Sequence, residues 1–443
     1  MHVCLGLCIL VGFLWLAALP LFAANALNRI GYGARSTGLG GAFIGVADDT
    51  ASINTNPAGL AQITGRALDV GFALAQPHLR HEDPVGGTSS AVNAVFVAPW
   101  VGYAHRLAQL PLTLGVAAFV QGGEGATYRN VPTVFGTTDD LSIDLQYVRL
   151  APAAAYALGE RLTLGAAIWV GRSTLDLQLF PQTSFLNPLS PPGASDRFFG
   201  VHFEDSAAYG VGGRIGLLYR ATDWLQLGLQ YATPSALAYR GGKLVLNMGA
   251  AGLGQVQYDG TLDNFAWPQE LGLGLVVRPL SRLQLSTDFK WINWDGALNT
   301  VLLRAKNPRT PRAPPRVDLP VPLHWKDQWV IAAGLEYRVR GDVVLRAGYN
   351  HANNPIPNDT LSPLFATIVK DHLAAGFGYS RGRFGIDLSY IVGLPIRVSY
   401  TRPDGVFRQA FEQVMLYAIE LTLRYRFGRS EPVARLHSPP SRP

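Results

Sequence analysis

The chain has 443 residues, of which 48% are hydrophobic and 10% aromatic, while only 15% are charged, against about 25% in an ordinary soluble protein. Glycine is abundant, at 48 residues, and the net charge of +6 is spread thinly along the chain. That pattern argues against a soluble helical enzyme, a disordered chain and a nucleic-acid binder with its clustered basic face, and the even spread leaves no room for a bundle of transmembrane helices.

In chain order, residues 3–24 form one uncharged stretch, and about 20 such residues suffice to span a bilayer as a helix. The stretch ends in Ala24-Asn25-Ala26, a pattern that signal peptidase cleaves. Residues 1–26 are therefore expected to be a signal peptide, with a retained anchor as the alternative. Cys4 and Cys8, the only cysteines, both fall inside it, so the mature chain is expected to have no disulfide and no thiolate-bound metal. No cofactor is implied.

Residues 27–66 do not alternate. Small residues dominate, and turn signals cluster between Asn54 and Gly59. Gly38-Leu39-Gly40-Gly41 is not a phosphate loop, because no strand precedes it and no Gly-Lys-Ser/Thr follows. Asp48 and Asp49 read as a turn or a helix cap, with a cation site as the alternative.

From residue 67 the hydrophobic period is two. Met415, Tyr417, Ile419, Leu421, Leu423, Tyr425 and Phe427 alternate with Ala418, Glu420, Thr422, Arg424 and Arg426 in the last segment. The same reading places strands at 67–78, 91–105, 112–121, 141–158, 161–178, 206–220, 223–233, 267–278, 282–294, 324–338, 342–350, 370–380, 383–396 and 412–427. These are fourteen strands, and the connections between them are long and short in strict alternation. That is the plan of an antiparallel transmembrane β-barrel over residues 67–427, with tight periplasmic turns and long outer loops. Closure satisfies every backbone donor and acceptor in hydrocarbon, where helix bundles are the only other solution. Trp224, Trp267, Trp291, Trp294, Trp325, Trp329, Tyr349, Tyr425 and Phe427 lie near strand ends and are expected in the interfacial girdles. Residues 428–443, rich in proline and arginine, are expected to be a disordered periplasmic tail.

Three motifs then carry a resemblance. The run Ala34-Arg35-Ser36-Thr37-Gly38-Leu39-Gly40-Gly41-Ala42-Phe43, the triplet Ala47-Asp48-Asp49, and Asn56-Pro57-Ala58-Gly59-Leu60 resemble the N-terminal hatch of the FadL/TodX family. Its members are outer-membrane transporters of long-chain fatty acids and aromatic hydrocarbons. Trp325-Lys326-Asp327-Gln328-Trp329, Asn354-Pro355-Ile356-Pro357 and Asp371-His372-Leu373 are similar to its late strands and the loop between them. The resemblance implies that residues 27–66 plug the lumen and shift when ligand binds, with Gly38, Gly41, Asp48, Asp49, Asn56, Pro57 and Ala58 as hatch residues. It also implies sideways exit at a kink in the third strand. Here that strand, Leu112 to Gln121, runs into Gly122-Gly123-Glu124-Gly125, where glycine marks a bulge or simply an outer loop.

The longest apolar connections, 179–205 and 234–266, carry Phe180, Phe185, Leu186, Leu246 and Met248, candidates for an outer hydrophobic site. Arg149, Lys290 and Arg346 fall at inward positions and are candidates for a carboxylate head group, the alternative being pairing with luminal acids. The expected function is passive uptake of hydrophobic small molecules across the bacterial outer membrane by a monomer. Its partners would be the ligand, membrane lipid and the barrel-assembly machinery, after Sec-dependent export. The alternatives are a general diffusion porin or an outer-membrane hydrolase, although the nine histidines are scattered.

Overall fold

The computed structural model describes residues 25–85, 87–92, 95–186 and 197–427. Most of the expected signal peptide and the whole expected tail lie outside the described residues. The first seven strands are β1 (Arg66–Asp83), β2 (Gly87–Ser90), β3 (Phe96–Arg106), β4 (Leu112–Pro132), β5 (Thr138–Leu158), β6 (Leu162–Leu186) and β7 (Arg197–Arg220). Next come β8 (Leu225–Ala232), β9 (Ser235–Met248), β10 (Gly254–Trp267), β11 (Glu270–Leu280), β12 (Leu283–Ile292), β13 (Thr300–Lys306) and β14 (Arg316–Pro322). The last five are β15 (Gln328–Arg338), β16 (Val343–Ala352), β17 (Asp371–Arg381), β18 (Phe384–Tyr400) and β19 (Ala410–Phe427).

Fourteen of these strands close a ring in which every neighbour is antiparallel. The order is β1, β3, β4, β5, β6, β7, β8, β11, β12, β15, β16, β17, β18 and β19. The seam is sealed by β1 against β19, in register from Arg66↔Phe427 to Glu82↔Phe411. These are the fourteen strands that the period of two predicts. The outer connections differ from expectation, because much of 122–140, 179–205 and 234–266 is strand rather than loop. β4 continues to Pro132, β6 to Leu186, and β9 pairs with β10 as a hairpin that also lies against β7. A second outer hairpin, β13–β14, pairs with β10. The simple alternation fails there because no lipid faces these extensions; Leu237, Tyr239, Leu244, Leu246 and Met248 of β9 are all buried.

Burial inverts the pattern of a soluble sheet. Along β11, Leu271, Leu273 and Leu275 are exposed while Glu270 before them and Val276 after them are buried. Asp69, Gln226, Asp288, Glu420 and Thr422 are likewise buried on the inward face. Apolar side chains outward and polar side chains inward are what hydrocarbon outside demands.

The interior is filled in two storeys. Near the periplasmic turns, residues 25–65 occupy the ring through a short helix (Ala34–Gly38) and two 3-10 turns (Thr50–Asn54, Pro57–Gln62). Toward the outer hairpins a single apolar cluster runs from Ala26, Leu27 and Ile30 through Tyr147, Trp267 and Phe203 to Phe180 and Phe407. Trp267, Trp294 and Trp325 belong to this cluster and not to the girdle. They pack edge to face, at 6.2 Å and 5.2 Å between centroids, and are fully buried. Two of the indoles reach a partner inside, Trp267 donating to Asn28 at 2.8 Å and Trp294 to Gln328 at 3.2 Å. Trp224, Trp329 and Tyr349 do face outward.

The lower storey depends on small residues on both sides of the contact. A side chain at Gly348 of β16 would run into the Leu39–Gly40 backbone, and one at Gly165 of β6 into Pro57 and Ala58. Gly38 similarly rests on Gly376 of β17. Overpacking of this kind costs about 1–3 kcal/mol. Gly348→Val should therefore lower the thermal midpoint of the detergent-solubilised protein by circular dichroism, while Gly341→Val, where a side chain meets open space, should leave it unchanged.

Candidate functional site

The N-terminal segment is tied to the wall by luminal carboxylates that accept from its backbone and side chains. Glu420 of β19 accepts from Arg29 at 2.9 Å, from the Gly33 amide at 2.9 Å and from the Thr37 hydroxyl. Asp288 of β12 accepts from the Phe43 and Ile44 amides at 2.8 Å and 2.9 Å. Asp69 of β1 accepts from the amide and hydroxyl of Thr50 and is also paired with Arg426. Arg35 is held between Asp48 and Glu336. Charge-assisted bonds of this sort are roughly twice as strong as neutral ones. Here they replace the water that a segment of such small residues could not exclude by apolar packing alone. Sequence reasoning did not assign Asp69 and Asp288 this role; their signal was an acid at an inward position of an alternating strand.

The residues singled out in the segment are now placed. Gly38 closes the short helix, and Gly41 lies against the Ile30 carbonyl. Asp48 pairs with Arg35, and Asp49 caps the first 3-10 turn through the Ala51 amide at 2.9 Å. Burial, with Asp69 and Asp48 adding to it, pushes the Asp49 carboxyl up to about 7. Asn56 accepts from the Ala58 amide and donates to the Ile44 and Leu217 carbonyls at 2.9 Å and 3.1 Å. It thereby stitches the Asn56-Pro57-Ala58 turn to both the segment and β7. Pro57 sits at the first position of its turn, where a missing amide hydrogen costs nothing.

The three predicted cations are not brought together. Arg346 is saturated by Glu336 at 2.7 Å and Asp387 at 2.8 Å, and Lys290 reaches the Gly41 carbonyl at 3.4 Å. Arg149, buried on β5, is stacked against the rings of Tyr147 and Trp169, 4.8 Å and 4.2 Å from their centroids. Among the described residues it has no ion pair. The five predicted outer apolar residues also separate: Phe180, Leu246 and Met248 are inside the apolar cluster, while Phe185 and Leu186 are exposed. They do not form one surface site, because the connections that carry them fold inward as strands. Phe185 instead stacks on Phe135, 5.4 Å away, which in turn stacks on Phe198 at 4.8 Å.

The wall itself is irregular at β4. Its ladder with β3 runs only from Arg106↔Thr113 to Trp100↔Phe119. Beyond that point β3 continues against β1 as far as Phe96, but β4 follows β5 alone. The β4–β5 register slips between Val120 and Gly122, so the glycine run is inside the strand at a bulge. The two walls meet again where the Val92 amide donates to the Thr127 carbonyl at 2.8 Å. Around the second of these points lies a cavity of about 290 Å³ lined by Val92, Phe96, Gly125, Ala126, Thr127 and Arg129 of the two walls, Ser142, Ile143 and Asp144 of β5 and Asp176 of β6. On its inner side the N-terminal segment pairs with the bulge. Asn28 bridges to Gly122, and the Gly123 amide donates to the Leu27 carbonyl at 3.1 Å.

Comparison with known proteins agrees with this geometry. A family model described as "Outer membrane protein transport protein (OMPP1/FadL/TodX)" matches residues 17–392. A search of curated proteins finds no match. Among solved structures, the toluene transporter TodX of P. putida is 23% identical, covers 90% of this chain and 100% of its own, and superposes with a TM-score of 0.73. The toluene transporter TbuX of Ralstonia pickettii is 21% identical over 90% of this chain and 99% of its own, at 0.70. A Pseudomonas aeruginosa FadL homologue is 15% identical over 91% and 100%, at 0.73. These likenesses are of fold. The family match covers most of the chain, and the protein belongs to the OMPP1/FadL/TodX family of outer-membrane transport proteins, a family of channels and not of enzymes.

Proposed function

We propose that the protein carries hydrophobic small molecules, long-chain fatty acids or hydrocarbons, passively inward across the outer membrane. Residues 27–66 act as the hatch, and cargo leaves sideways through the gap between β3 and β4. One observation carries this reading. The upper lumen is a continuous apolar cluster that reaches from Phe180 and Phe407 at the outer end down to Leu27 and Ile30, beside the β4 bulge. A path for polar solutes would be lined by polar groups and water, whereas an apolar body gains about 0.8 kcal/mol per methylene on leaving water. Sideways exit keeps that gain, because the methylenes pass from protein to lipid without rehydration. No energy source is needed.

Arg29, Gly33, Thr37, Phe43, Ile44 and Thr50 hold the segment to the wall carboxylates, and Asn28 and Leu27 tie it to the bulge. Movement of the segment therefore opens the inner side of the gap. We further propose Sec-dependent export with removal of residues 1–26, insertion by the barrel-assembly machinery, and a monomer that works within membrane lipid.

Two measurements test the mechanism. Deleting residues 27–60 should raise conductance in planar bilayers; unchanged conductance would refute the plug. The only cysteines are Cys4 and Cys8, so a disulfide can be introduced cleanly after export. Ala98 and Val120 pack together across the gap, and an Ala98→Cys/Val120→Cys staple should slow hydrocarbon uptake by cells until a reductant is added. Uptake that ignores the staple would rule out exit at this place.

A further inference from the structure

Within the apolar upper lumen one carboxyl stands apart. Glu124 lies on β4 between Gly123 and Gly125, just beyond the register slip at Val120 and Gly122, is 0% exposed, and among the described residues neither of its oxygens has a hydrogen-bond partner. Every other luminal acid described above is matched by an amide, a hydroxyl or a guanidinium. Glu124 faces Leu145 across the ladder, one residue above the Gly123↔Gln146 pair and two above Gly122↔Tyr147. The N-terminal segment is bonded just beneath it, through Leu27 and Asn28. The nearest buried cation on β5, Arg149, is level with Phe119 below the bulge and is covered by two aromatic rings. Farther along β4 the Tyr128 hydroxyl is also buried without a partner.

A buried polar group left unmatched in a folded protein calls for an explanation, and a ligand that uses it is one. Past Phe119 β4 leaves β3, and the cavity beside Thr127 is lined by Gly125 and Ala126, the two residues after Glu124. Glu124 is therefore the next residue along β4 both from the cavity lining at Gly125 and from the hatch contact at Gly123. We propose that Glu124 is a specificity-determining site that accepts a hydrogen bond from a hydroxyl head on an otherwise apolar cargo. This inference rests on the uptake reading and narrows it to neutral, singly hydroxylated hydrocarbons such as phenols. A carboxylate head would give up its water here without a compensating cation. A bare hydrocarbon leaves the site unmatched, as it is in the structure. Displacing Leu27 and Asn28 from Gly122 and Gly123 makes room for the head, so binding and release of the N-terminal segment are one event.

The test uses three fluorinated probes with one ring and different heads: para-fluorophenol, fluorobenzene and para-fluorobenzoate. Saturable binding to the purified protein in detergent micelles is read by fluorine NMR. The wild type should bind para-fluorophenol more tightly than either other probe. Glu124→Leu should weaken para-fluorophenol about tenfold, which corresponds to about 1.4 kcal/mol, and leave fluorobenzene unchanged or tighter. Glu124→Gln, which keeps an acceptor oxygen, should retain para-fluorophenol within about threefold. Heat-modifiable gel mobility confirms that each variant is folded. Equal weakening of both neutral probes in Glu124→Leu, or para-fluorobenzoate bound by the wild type as tightly as the phenol, would overturn the proposal. The wild-type comparison decides the matter even if a variant does not fold. Fluorobenzene binding by the wild type reports separately on hydrophobic uptake, so the two readings fail independently.

Discussion

Hydrocarbon offers no hydrogen bonds, and most of this molecule follows from that. A chain whose backbone must be satisfied internally across a bilayer closes its sheet on itself, which here requires the seventeen-residue reach of β1 from Arg66 to Glu82 along β19. Closure puts lipid outside, so the leucines of β11 are exposed while Glu270 is buried. The polar side chains are thereby forced into a space that water or protein must occupy. In the lower half the occupant is the N-terminal segment. Its backbone is the hydrogen-bonding complement of Asp69, Asp288 and Glu420, and its lack of bulk is what lets it reach them.

The abundance of glycine in the composition reflects this fit. Gly38 and Gly40 of the segment meet Gly376 and Gly348 of the wall, backbone against backbone. A larger side chain on either partner would separate the wall carboxylates from the amides they satisfy. The strength of the ionic contacts therefore depends on steric economy at neighbouring positions that carry no charge.

The fourteen wall strands were legible in the sequence because lipid on one side and a polar lumen on the other impose a period of two. Where that condition lapses, so does the signal. β9 buries Leu237 and Tyr239 on one side and lies against β7 and β10 in the outer storey, so it reads as an apolar loop. Trp267 and Trp294 sit near strand ends, as girdle residues do, but inward, and only the coordinates reveal Asn28 and Gln328 as their partners. The site was legible in part. Motif spacing marked Asn56-Pro57-Ala58 and the glycine run. The carboxylates that grip the hatch were hidden, since their partners are backbone amides, which every residue but proline supplies.

The position of the gap follows from the same constraint. An unpaired strand edge within a barrel leaves donors and acceptors without partners, so an opening is tolerable only where something else satisfies them. At β4 three devices do so. The bulge removes part of the ladder without stretching it, the Val92 amide re-closes the wall at Thr127, and the N-terminal segment supplies Leu27 and Asn28 to Gly123 and Gly122. Only the last of these belongs to the plug and not to the wall. The wall and the plug are therefore not independent parts. The hydrogen bonds that complete the barrel where the β3–β4 ladder stops are contributed in part by the plug itself.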